Sequence, residues 1–521
     1  MPQVFDPFLF DSLMMECQRL TAYLRRMNVA RYLLFGWVAC SFVLLCLSGC
    51  IKDPEFYTGS DVELTFSVDT LRFDTVFTTQ GSATRLIKIF NPKDQAIRIS
   101  SIEFASGNSP FFRMNVDGLS GEAFQDVEIL AKDSIYLFAE VTIDPDQPSS
   151  VSPFVIEDAI AFVTNGNTQQ VILQAWGQNA IYIPNNSNSK GLAYLSCDNM
   201  EVVWNDPRPY VIFGVLLIDS CTLRFPPGAR IHLHGGVVES GNGFYTDGLI
   251  YTLSHGKLAV EGTVDKPVVF RTDRLEPEFA SLPGQWGGIR LGPGSRGNVF
   301  LNARIYNSIS GIYVDSTAQV SVTNTEIAWT SGSGLVSYAG DINADNVLIH
   351  NSGRNGIQIA LGGQQRFRYC TVANYGNTAE ALSASNIFCL DPLCSEAYVL
   401  PLQMTFENCI LTGNNQDEIT LIDGTGGTPG AFDYSFSHSL VRIKDLLDEN
   451  QWPEFLTDCT NCLTYTFGDP LFRDLNMDDF HLDTLSVVEG RALPIPGLSD
   501  DLDGVTRDPG QPDIGCFEYV D

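Results

Sequence analysis

The chain has 521 residues, of which 44% are hydrophobic, 11% aromatic and 18% charged; this excludes a mostly disordered polymer and allows about two to four domains. The 62 acidic and 31 basic residues give a net charge of −31, which excludes nucleic acid as a partner because a phosphate backbone requires a basic surface. The low charged share and the 45 glycines favour β-structure with many turns.

The first 49 residues predict a targeting segment. An apolar stretch at 33–47 follows a short arginine-containing region and runs into Leu47-Ser48-Gly49-Cys50. A bacterial lipoprotein signal peptidase requires small residues before a cysteine whose thiol takes the lipid, and this motif resembles such a lipobox. We therefore expect 1–49 to be a signal peptide and Cys50 to be the lipidation site. A single transmembrane anchor is the alternative, because 20 uncharged residues can just span a bilayer.

Met27 is a better start than Met1, since it leaves a short basic region before the apolar stretch, so residues 1–26 read as a mis-called start. Residues 50–55 would form the lipidated cysteine and its tether. Within them, Lys52-Asp53-Pro54-Glu55 resembles the surface-export signal of Bacteroidota lipoproteins. The expected location is the outer membrane, with the chain facing the cell exterior; the sequence leaves the periplasmic face open.

Thirteen cysteines are present, and four fall in the leader or at the lipid site, so nine remain. An odd number leaves at least one thiol unpaired within the chain. An oxidising compartment permits disulfides, and Cys389 and Cys394, which bracket a turn-like Leu-Asp-Pro-Leu, are a candidate pair. Cys459 and Cys462 have CxxC spacing but no second ligand pair and no thioredoxin-like context, so we expect a structural role.

Residues 56–182 predict a β-sandwich, because short apolar runs alternate with turns. The expected strands are 62–68, 84–91, 97–104, 135–143, 159–164 and 170–176. Five motifs follow in order: Ile87–Asn91, Ile99–Ile102, Phe111-Phe112, Asp133–Ile135 and Gln174–Gly177. In this order the zone resembles the immunoglobulin-like domains of the ASPM/SPD-2/Hydin type, which implies a spacer or binding module. Residues 183–191, rich in Asn and Ser, predict a linker.

Residues 192–440 repeat with a period near 22. Ile305, Ile327, Ile349 and Val372 are spaced by 22, 22 and 23 residues. A second small or apolar column, Ala303, Thr325, Val347 and Cys370, lies two residues earlier, and Arg304, Glu326, Leu348 and Thr371 between them should point outward. This period predicts a β-solenoid whose stacked coils share one core. The next match, at Cys409–Leu411, implies an insertion of about 17 residues around 378–402.

The upstream coils carry a recognisable order of motifs: Leu223–Ile231, Gly256–Thr263, Lys266–Phe270 and Pro283–Ile289. This order resembles the entry coils of right-handed parallel β-helix proteins of the pectin-lyase-like fold. The fold class is therefore all-β: an Ig-like β-sandwich followed by a right-handed parallel β-helix with a C-terminal cap. Trp286 should be a packed aromatic at a turn.

Residues 441–521 should hold the end of the β-helix and the cap. The motifs Gly468–Phe472, Asp479–Leu482, Asp500–Gly504 and Asp513–Tyr519 follow in order. They resemble the C-terminal choice-of-anchor-Q segment of bacterial surface β-helix proteins. The family usually shows Ser-Pro-Ala-hydrophobe-Asp where this chain has Leu485–Leu493, which puts a shared side-chain role there in doubt. We expect the segment to cover the open end of the solenoid.

The pectin-lyase-like fold hosts polysaccharide lyases and glycosidases, which use carboxylates with a basic residue or with each other. The compact candidate cluster is Asp341, Asp345, His350 and Arg354, with Asp315 on the preceding coil. A chance cluster is expected in a chain with 62 carboxylates. His232 and His234 alternate on one strand without a third ligand, which favours a surface pair over a metal site.

Calcium is the one cofactor that the sequence suggests. Asp474, Asp478, Asp501 and Asp503 lie in Asp-rich turns that could supply oxygen ligands, but neither turn matches an EF-hand and self-hydrogen-bonded turns are commoner.

Together these patterns favour a lipid-anchored surface protein that binds a glycan or a partner protein without catalysis. The alternative is a carbohydrate-active enzyme, either a polysaccharide lyase or a glycoside hydrolase, on the β-helix. An enzyme predicts stacked carboxylates with a basic residue and aromatic platforms, whereas a binding module predicts a polar or aromatic face. The net charge of the mature chain, −32 after removal of four basic and three acidic residues, opposes uronate polymers.

Overall fold

The computed structural model describes residues 55–77, 84–107, 109, 111–142, 154–178, 180–183, 192–197, 200–240, 243–376, 378–448 and 451–520. The expected signal peptide, Cys50 with its tether as far as residue 54, and most of the expected linker lie outside these residues. Within the described ranges, no helix is both long and apolar enough to cross a membrane.

The N-terminal part is a sandwich of two five-stranded sheets. The first sheet contains Thr65–Phe66, Arg85–Phe90, Ser134–Val141, Phe112–Val116 and Leu119–Gly121, in that spatial order. The second contains Thr70–Phe77, Asn167–Gln178, Phe154–Thr164, Ile97–Phe104 and Ala123–Ile129. Fully buried side chains of both sheets, such as Ile87, Leu137 and Phe162, share one core. The immunoglobulin-like assignment of this sandwich stays a prediction.

Parallel sheets of stacked coils follow between residues 181 and 464, which confirms the solenoid. The long sheet has 19 strands: Ile181–Ile183, Glu201–Val203, Tyr210–Ile212, Thr222–Phe225, Arg230–Leu233, Lys257–Glu261, Val268–Thr272, Asn298–Leu301, Ala303–Tyr306, Gln319–Thr330, Asp341–Ser352, Gly363–Arg368, Thr371–Asn374, Leu402–Glu407, Ile410–Gly413, Phe432–Ser437, Leu440–Val441, Cys459–Thr460 and Leu463–Thr464.

A second parallel sheet of nine strands contributes the other side of the coils: Leu192–Leu195, Val215–Ile218, Leu249–Thr252, Trp286–Leu291, Ser308–Val314, Leu335–Tyr338, Ile357–Leu361, Leu382–Ser385 and Ile419–Ile422. Three antiparallel hairpins are added: Val237–Ser240 with Gly243–Thr246, Ile387–Cys389 with Ala397–Val399, and Phe472–Asp474 with Asp479–Leu482. The helical turns are Pro277–Phe279, Asp445–Leu447, Phe455–Asp458 and Leu475–Met477. The hairpin at 387–399 occupies the expected insertion.

The register confirms the inward column. Ile305 pairs with Ile327, Ile327 with Ile349, and Ile349 with Val372, and each of the four is at most 1% exposed. Gly334 makes this stacking possible, because a Cβ there would lie 2.5 Å from Ile349 Cγ2. The 22-residue period therefore reports directly on which side chains meet in the core.

Asparagines turn the chain between the two halves of a coil. Asn302, Asn324 and Asn346 follow one another at the coil period, and their φ angles are 47°, 48° and 52°. Asparagine tolerates this left-handed conformation better than other non-glycine residues. Asn408 continues the series after the insertion, with φ 56°.

The first strand of the long sheet begins before the expected linker: Ile181–Ile183 pairs with Tyr210–Ile212. Ile181 and Tyr182 end the stretch assigned to the sandwich from sequence, and Ile183 begins the expected linker. A three-residue strand carries too little pattern to reveal its partner. At the other end of the solenoid, Trp452 and Phe455 pack on a stack of aromatic rings that includes Phe432 and Phe436.

The C-terminal segment, residues 469–520, lies along the side of the last coils rather than only at their open end, which differs from the sequence-based expectation. It covers the outward residues Leu348, Thr371, Ile410 and Leu440, which stack in register and are at most 4% exposed. The physical reason is that this outward column turns apolar from Leu348 onward and has to be shielded from water.

Candidate functional site

A polar groove of about 480 Å³ crosses several coils on the outer face of the long sheet. Two ladders of outward side chains line it: Gln319, Asp341, Gln364 and Gln403, and beside them Ser321, Asn343, Arg366 and Thr405. Strands of a sheet lie about 4.8 Å apart. Each ladder therefore offers a hydrogen-bonding group at that interval along the solenoid axis. We call this site the amide groove.

Asp341 and Arg366 are the charged side chains that line the amide groove. Asp341 accepts hydrogen bonds from Gln319 Nε2 and from the backbone N–H of Gln364, both at 3.0 Å. Arg366 is exposed and makes no ion pair within the described part of the chain. Amide side chains both donate and accept hydrogen bonds. The groove therefore suits a ligand with many hydroxyl groups and little net charge.

The four residues of the candidate catalytic cluster occupy different surroundings. Asp341 faces the amide groove, but Asp345 is 9% exposed and accepts from Arg368 Nε and Nη2 at 2.7 and 2.8 Å. His350 is 2% exposed and faces the C-terminal segment. Arg354 is exposed beyond the end of the strand that carries the other three. The structure thus does not bring them together as one acid–base site.

Glu326 lies at the centre of a polar cluster that the sequence did not reveal. Its carboxylate meets His350 Nε2 at 3.1 Å, accepts from Tyr306 Oη at 2.7 Å, and pairs with Arg304 Nε at 3.1 Å. Burial raises the pKa of Glu326, but hydrogen bonding from His350 and the Arg304 charge outweigh it, so the net pKa is lowered. Phe480 of the C-terminal segment contacts the His350 ring, with centroids 4.7 Å apart.

This cluster therefore joins the solenoid to the C-terminal segment. The coil period was the signal that could have found it, since Arg304 and Glu326 are one period apart in the outward column. Asp315, the neighbour expected from the preceding coil, pairs instead with Arg290 at 2.5 Å on the nine-stranded sheet.

Among the calcium candidates, Asp474 and Asp478 serve the hairpin that opens the C-terminal segment. Asp474 accepts from the backbone N–H of Asn476 at 2.9 Å and so caps the turn that follows. Asp478 accepts from Asn351 Nδ2 of the solenoid at 2.8 Å. Both carboxylates therefore have protein donors.

Asp501 and Asp503 lie in a second turn. Asp501 accepts from the backbone N–H groups of Asp503, Val505 and Glu518 at 2.8–2.9 Å. Asp503 meets His481 Nε2 at 2.9 Å. In the described part of the chain, no group of three or more His, Cys, Asp or Glu residues has an arrangement that could hold a metal ion.

Arg507 holds the C-terminal segment against the solenoid. It is 4% exposed, its guanidinium carbon lies 3.9 Å from the centre of the Tyr369 ring, and its Nη2 donates to Asn346 Oδ1 at 3.0 Å. Nη1 reaches Glu518 Oε2 at 3.4 Å. Arg507 therefore attaches the C-terminal segment to the coils.

The nine cysteines outside the leader and lipid site divide into pairs and buried thiols. The structure contains the disulfides Cys197–Cys221, Cys389–Cys394 and Cys459–Cys462. Cys370, Cys409 and Cys516 are free and buried. The first disulfide was missed from sequence, although its separation of 24 residues is close to one coil.

Glu418 is a fully buried carboxylate at a turn between coils. It accepts from the backbone N–H groups of Ala381 and Asn415 at 2.8 and 2.6 Å. Burial raises its pKa to about 7. It does not line the amide groove, and its hydrogen bonds to the backbone give it a structural role.

His232 and His234, the strand pair with no third ligand in sequence, do not face one ion together. His232 Nδ1 contacts the carbonyl of Thr272 at 2.9 Å, and burial lowers its pKa to about 4. His234 Nδ1 pairs with Asp273 at 2.8 Å.

Comparison with known proteins supports the fold of the coils. A family model described as "Right handed beta helix region" matches residues 287–431. No curated protein matches the sequence. Among solved structures, the catalytic unit of a GH87 alpha-1,3-glucanase from Streptomyces thermodiastaticus is similar over 68% of this chain and 66% of that one, with 11% identity and a TM-score of 0.25.

Two further structures are similar over shorter stretches. A family 123 glycoside hydrolase from Clostridium perfringens is similar over 36% of this chain and 44% of the hydrolase chain, with 8% identity and a TM-score of 0.17. The ASH/PapD-like domain 7 of human CEP192 covers 26% of this chain and 94% of its own, with 9% identity and a TM-score of 0.16. The chain spans less than half of the Clostridium enzyme. The family-model match, together with the stacked parallel strands, identifies residues 287–431 as a right-handed β-helix region within the solenoid.

Proposed function

We propose that this protein is a lipid-anchored surface protein that binds an uncharged polysaccharide in the amide groove without cleaving it. The observation that carries the proposal is the pair of in-register ladders of amide and hydroxyl side chains along the solenoid axis. An extended glycan lying along this axis would meet a donor and acceptor at each coil. A partner protein on the cell surface is the other ligand class that the sequence left open.

The chemistry of the groove favours an uncharged glycan over a uronate polymer. Its charged pair, Asp341 and Arg366, adds no net charge, and the chain around it carries −31. A polyanion would be repelled at low salt, because charges closer than about 10 Å remain unscreened. The Asp341 carboxylate accepts hydrogen bonds from Gln319 and Gln364. Asp345, further along the same strand, accepts from Arg368.

The test is affinity gel electrophoresis with soluble glucans, xylan, mannan and polygalacturonate in the gel. The protein should be retarded by at least one neutral polymer. The double variant Asn343→Ala, Gln364→Ala should lower the affinity about tenfold, since two lost hydrogen bonds are worth about 1–3 kcal/mol. Gln125→Ala, which removes an exposed amide of the sandwich, is the matched control. Retardation by polygalacturonate alone, or none by any polymer, would refute the proposal.

The proposed anchor is Cys50, supported by Leu47-Ser48-Gly49-Cys50 after an uncharged segment. The Lys52–Glu55 stretch supports export to the outer face of the outer membrane, and the motifs of the C-terminal segment support a relation to choice-of-anchor-Q surface proteins. Cys50→Ser should abolish palmitate labelling and move the protein out of the outer-membrane fraction. Unchanged labelling would refute the anchor while leaving the groove untouched.

A further inference from the structure

A row of outward side chains on the nine-stranded sheet forms a second surface, in which Tyr251 and Tyr313 are half-buried. Its ladder contains Tyr194, Leu217, Tyr251, Arg290, Tyr313 and Val336, in register from coil to coil. The Arg290 guanidinium lies between two tyrosine rings, 5.7 Å from the centroid of Tyr251 and 4.6 Å from that of Tyr313. We call Tyr251, Arg290 and Tyr313 the aromatic row.

The aromatic row is held in place by contacts on both sides. Asp315 accepts from Arg290 Nε at 3.2 Å and Nη2 at 2.5 Å, which fixes the plane of the guanidinium. Tyr251 lies against Gly292, where a Cβ would come within 2.9 Å of the ring. A site pre-organised in this way loses little conformational entropy when a ligand binds.

The aromatic row carries no net charge although the chain is strongly acidic. Arg290 and Asp315 neutralise each other, and the side chain of Arg290 remains 43% exposed. Burial, followed by the nearby Asp315 carboxylate, raises the pKa of Tyr313, so its hydroxyl stays protonated at neutral pH. The guanidinium covers part of each half-buried ring, so the surface combines the remaining ring area with neutral hydroxyl groups and guanidinium donors, which complements an uncharged ligand.

We infer that the aromatic row is a second binding site for an uncharged glycan, separate from the amide groove. A sugar ring has an apolar C–H face that packs on a tyrosine ring and equatorial hydroxyls that reach the phenol and guanidinium donors. Tyr251 and Tyr313 are two coils apart, about 10 Å, so one oligosaccharide can contact both. The inference rests on the proposed function only in the class of ligand; the two sites lie on different sheets.

Two sites on one solenoid would change how the protein holds a long polymer. Once one site is occupied, the second binds at a high effective concentration, so affinity should rise with chain length beyond that of either site. A protein with one groove would show no such gain once the chain fills the groove.

The test is titration calorimetry of the full mature protein with cellohexaose, laminarihexaose, maltohexaose and chitohexaose. Tyr313→Ala and Tyr251→Ala should each lower the affinity of one site about tenfold, while Asn343→Ala, Gln364→Ala leaves that site unchanged. Tyr136→Ala, an exposed tyrosine of the sandwich at 42% exposure, is the matched control. Tyr313→Phe, which keeps the ring, should retain most of the affinity, and unchanged melting of the variants shows that they fold.

The outcomes separate the two sites. Binding that Tyr313→Ala and Tyr251→Ala leave unchanged but the groove variant abolishes overturns the aromatic row and leaves the amide groove in place. Binding of a hexasaccharide that is lost only in the tyrosine variants supports the row. Failure of all four hexasaccharides to bind the wild type overturns the row, whereas the groove is judged by the polysaccharide gels.

Discussion

Replacing Leu348 by alanine tests whether the C-terminal segment lies on the side of the solenoid. Leu348 points outward from its strand but is only 4% exposed, because the segment covers it. Truncation removes three carbon atoms, about 2.4 kcal/mol of lost burial at 0.8 kcal/mol each. With the cavity left behind, the free energy of unfolding should fall by about 3 kcal/mol.

Val299 is the matched control, because it also points outward on the long sheet but is 38% exposed in the amide groove. Val299→Ala should cost about 0.5 kcal/mol or less. For a unit of about 340 residues, 3 kcal/mol corresponds to a melting shift of about 4 °C, against less than about 1 °C for the control. Calorimetric melting measures both. Equal shifts for the two variants would refute the lateral position of the segment.

Three further predictions concern buried groups. Ile349→Asp should lower the free energy of unfolding by several kcal/mol in chemical denaturation, because it buries an unpaired carboxylate. Arg304→Ser should cost about 1–2 kcal/mol, because it leaves Glu326 without its guanidinium partner; a free outward residue would cost about 0.5 kcal/mol. Equal small losses for the two variants would contradict the register. The pKa of Glu418 is raised to about 7, so the folded chain binds its proton more tightly than the unfolded chain does. The contribution of this proton to the free energy of unfolding is full below about pH 4.5 and is lost as the pH rises through 7. Glu418→Gln should therefore remove up to about 3 kcal/mol of the pH dependence of stability in this range, measured by melting at a series of pH values. An unchanged pH dependence would contradict this role. The pKa of His481 is raised by its hydrogen bonds to Asp503 and Asp479, so its stabilisation of the C-terminal segment is full below the unfolded pKa near 6.5 and is lost as the pH rises through the folded value. Protection factors in residues 479–505, which correct hydrogen exchange for the intrinsic rise of its rate with pH, should therefore fall above neutral pH in the wild type but not in His481→Gln; the same pH dependence of protection in both would exclude this role.

The sequence predicted the repeating part of the fold because one physical constraint recurs in every coil. Ile305, Ile327 and Ile349 have to fill the same core position, so their spacing along the chain is enough to reveal the register. The same spacing contains the outward column, in which Leu348 is covered by a later segment. Leu348 alone does not predict such a cover, because an isolated exposed leucine is common on protein surfaces.

The candidate sites were harder to predict, because they depend on residues far apart in sequence. Predicting the amide groove requires knowing which residues point outward on five strands of different lengths. The pairing of Gln403 with Gln364 can be predicted only when the position of the insertion between them is known. The aromatic row depends on strands joined by turns of unequal length, so Tyr251 and Arg290 are 39 residues apart although they are neighbours. Proximity along the chain instead suggested Asp341, Asp345 and His350, which lie at separate places along one strand and have different partners.

The central claim is binding without cleavage, and one assay measures both. The protein is incubated with each neutral polysaccharide that retards it, and gel retardation, new reducing ends and ultraviolet-absorbing unsaturated ends are followed over time. We expect retardation that Asn343→Ala, Gln364→Ala weakens about tenfold, with no product formed with or without Ca²⁺. Product that accumulates with the wild type and disappears in Asp341→Ala would contradict binding without cleavage and make the protein a carbohydrate-active enzyme.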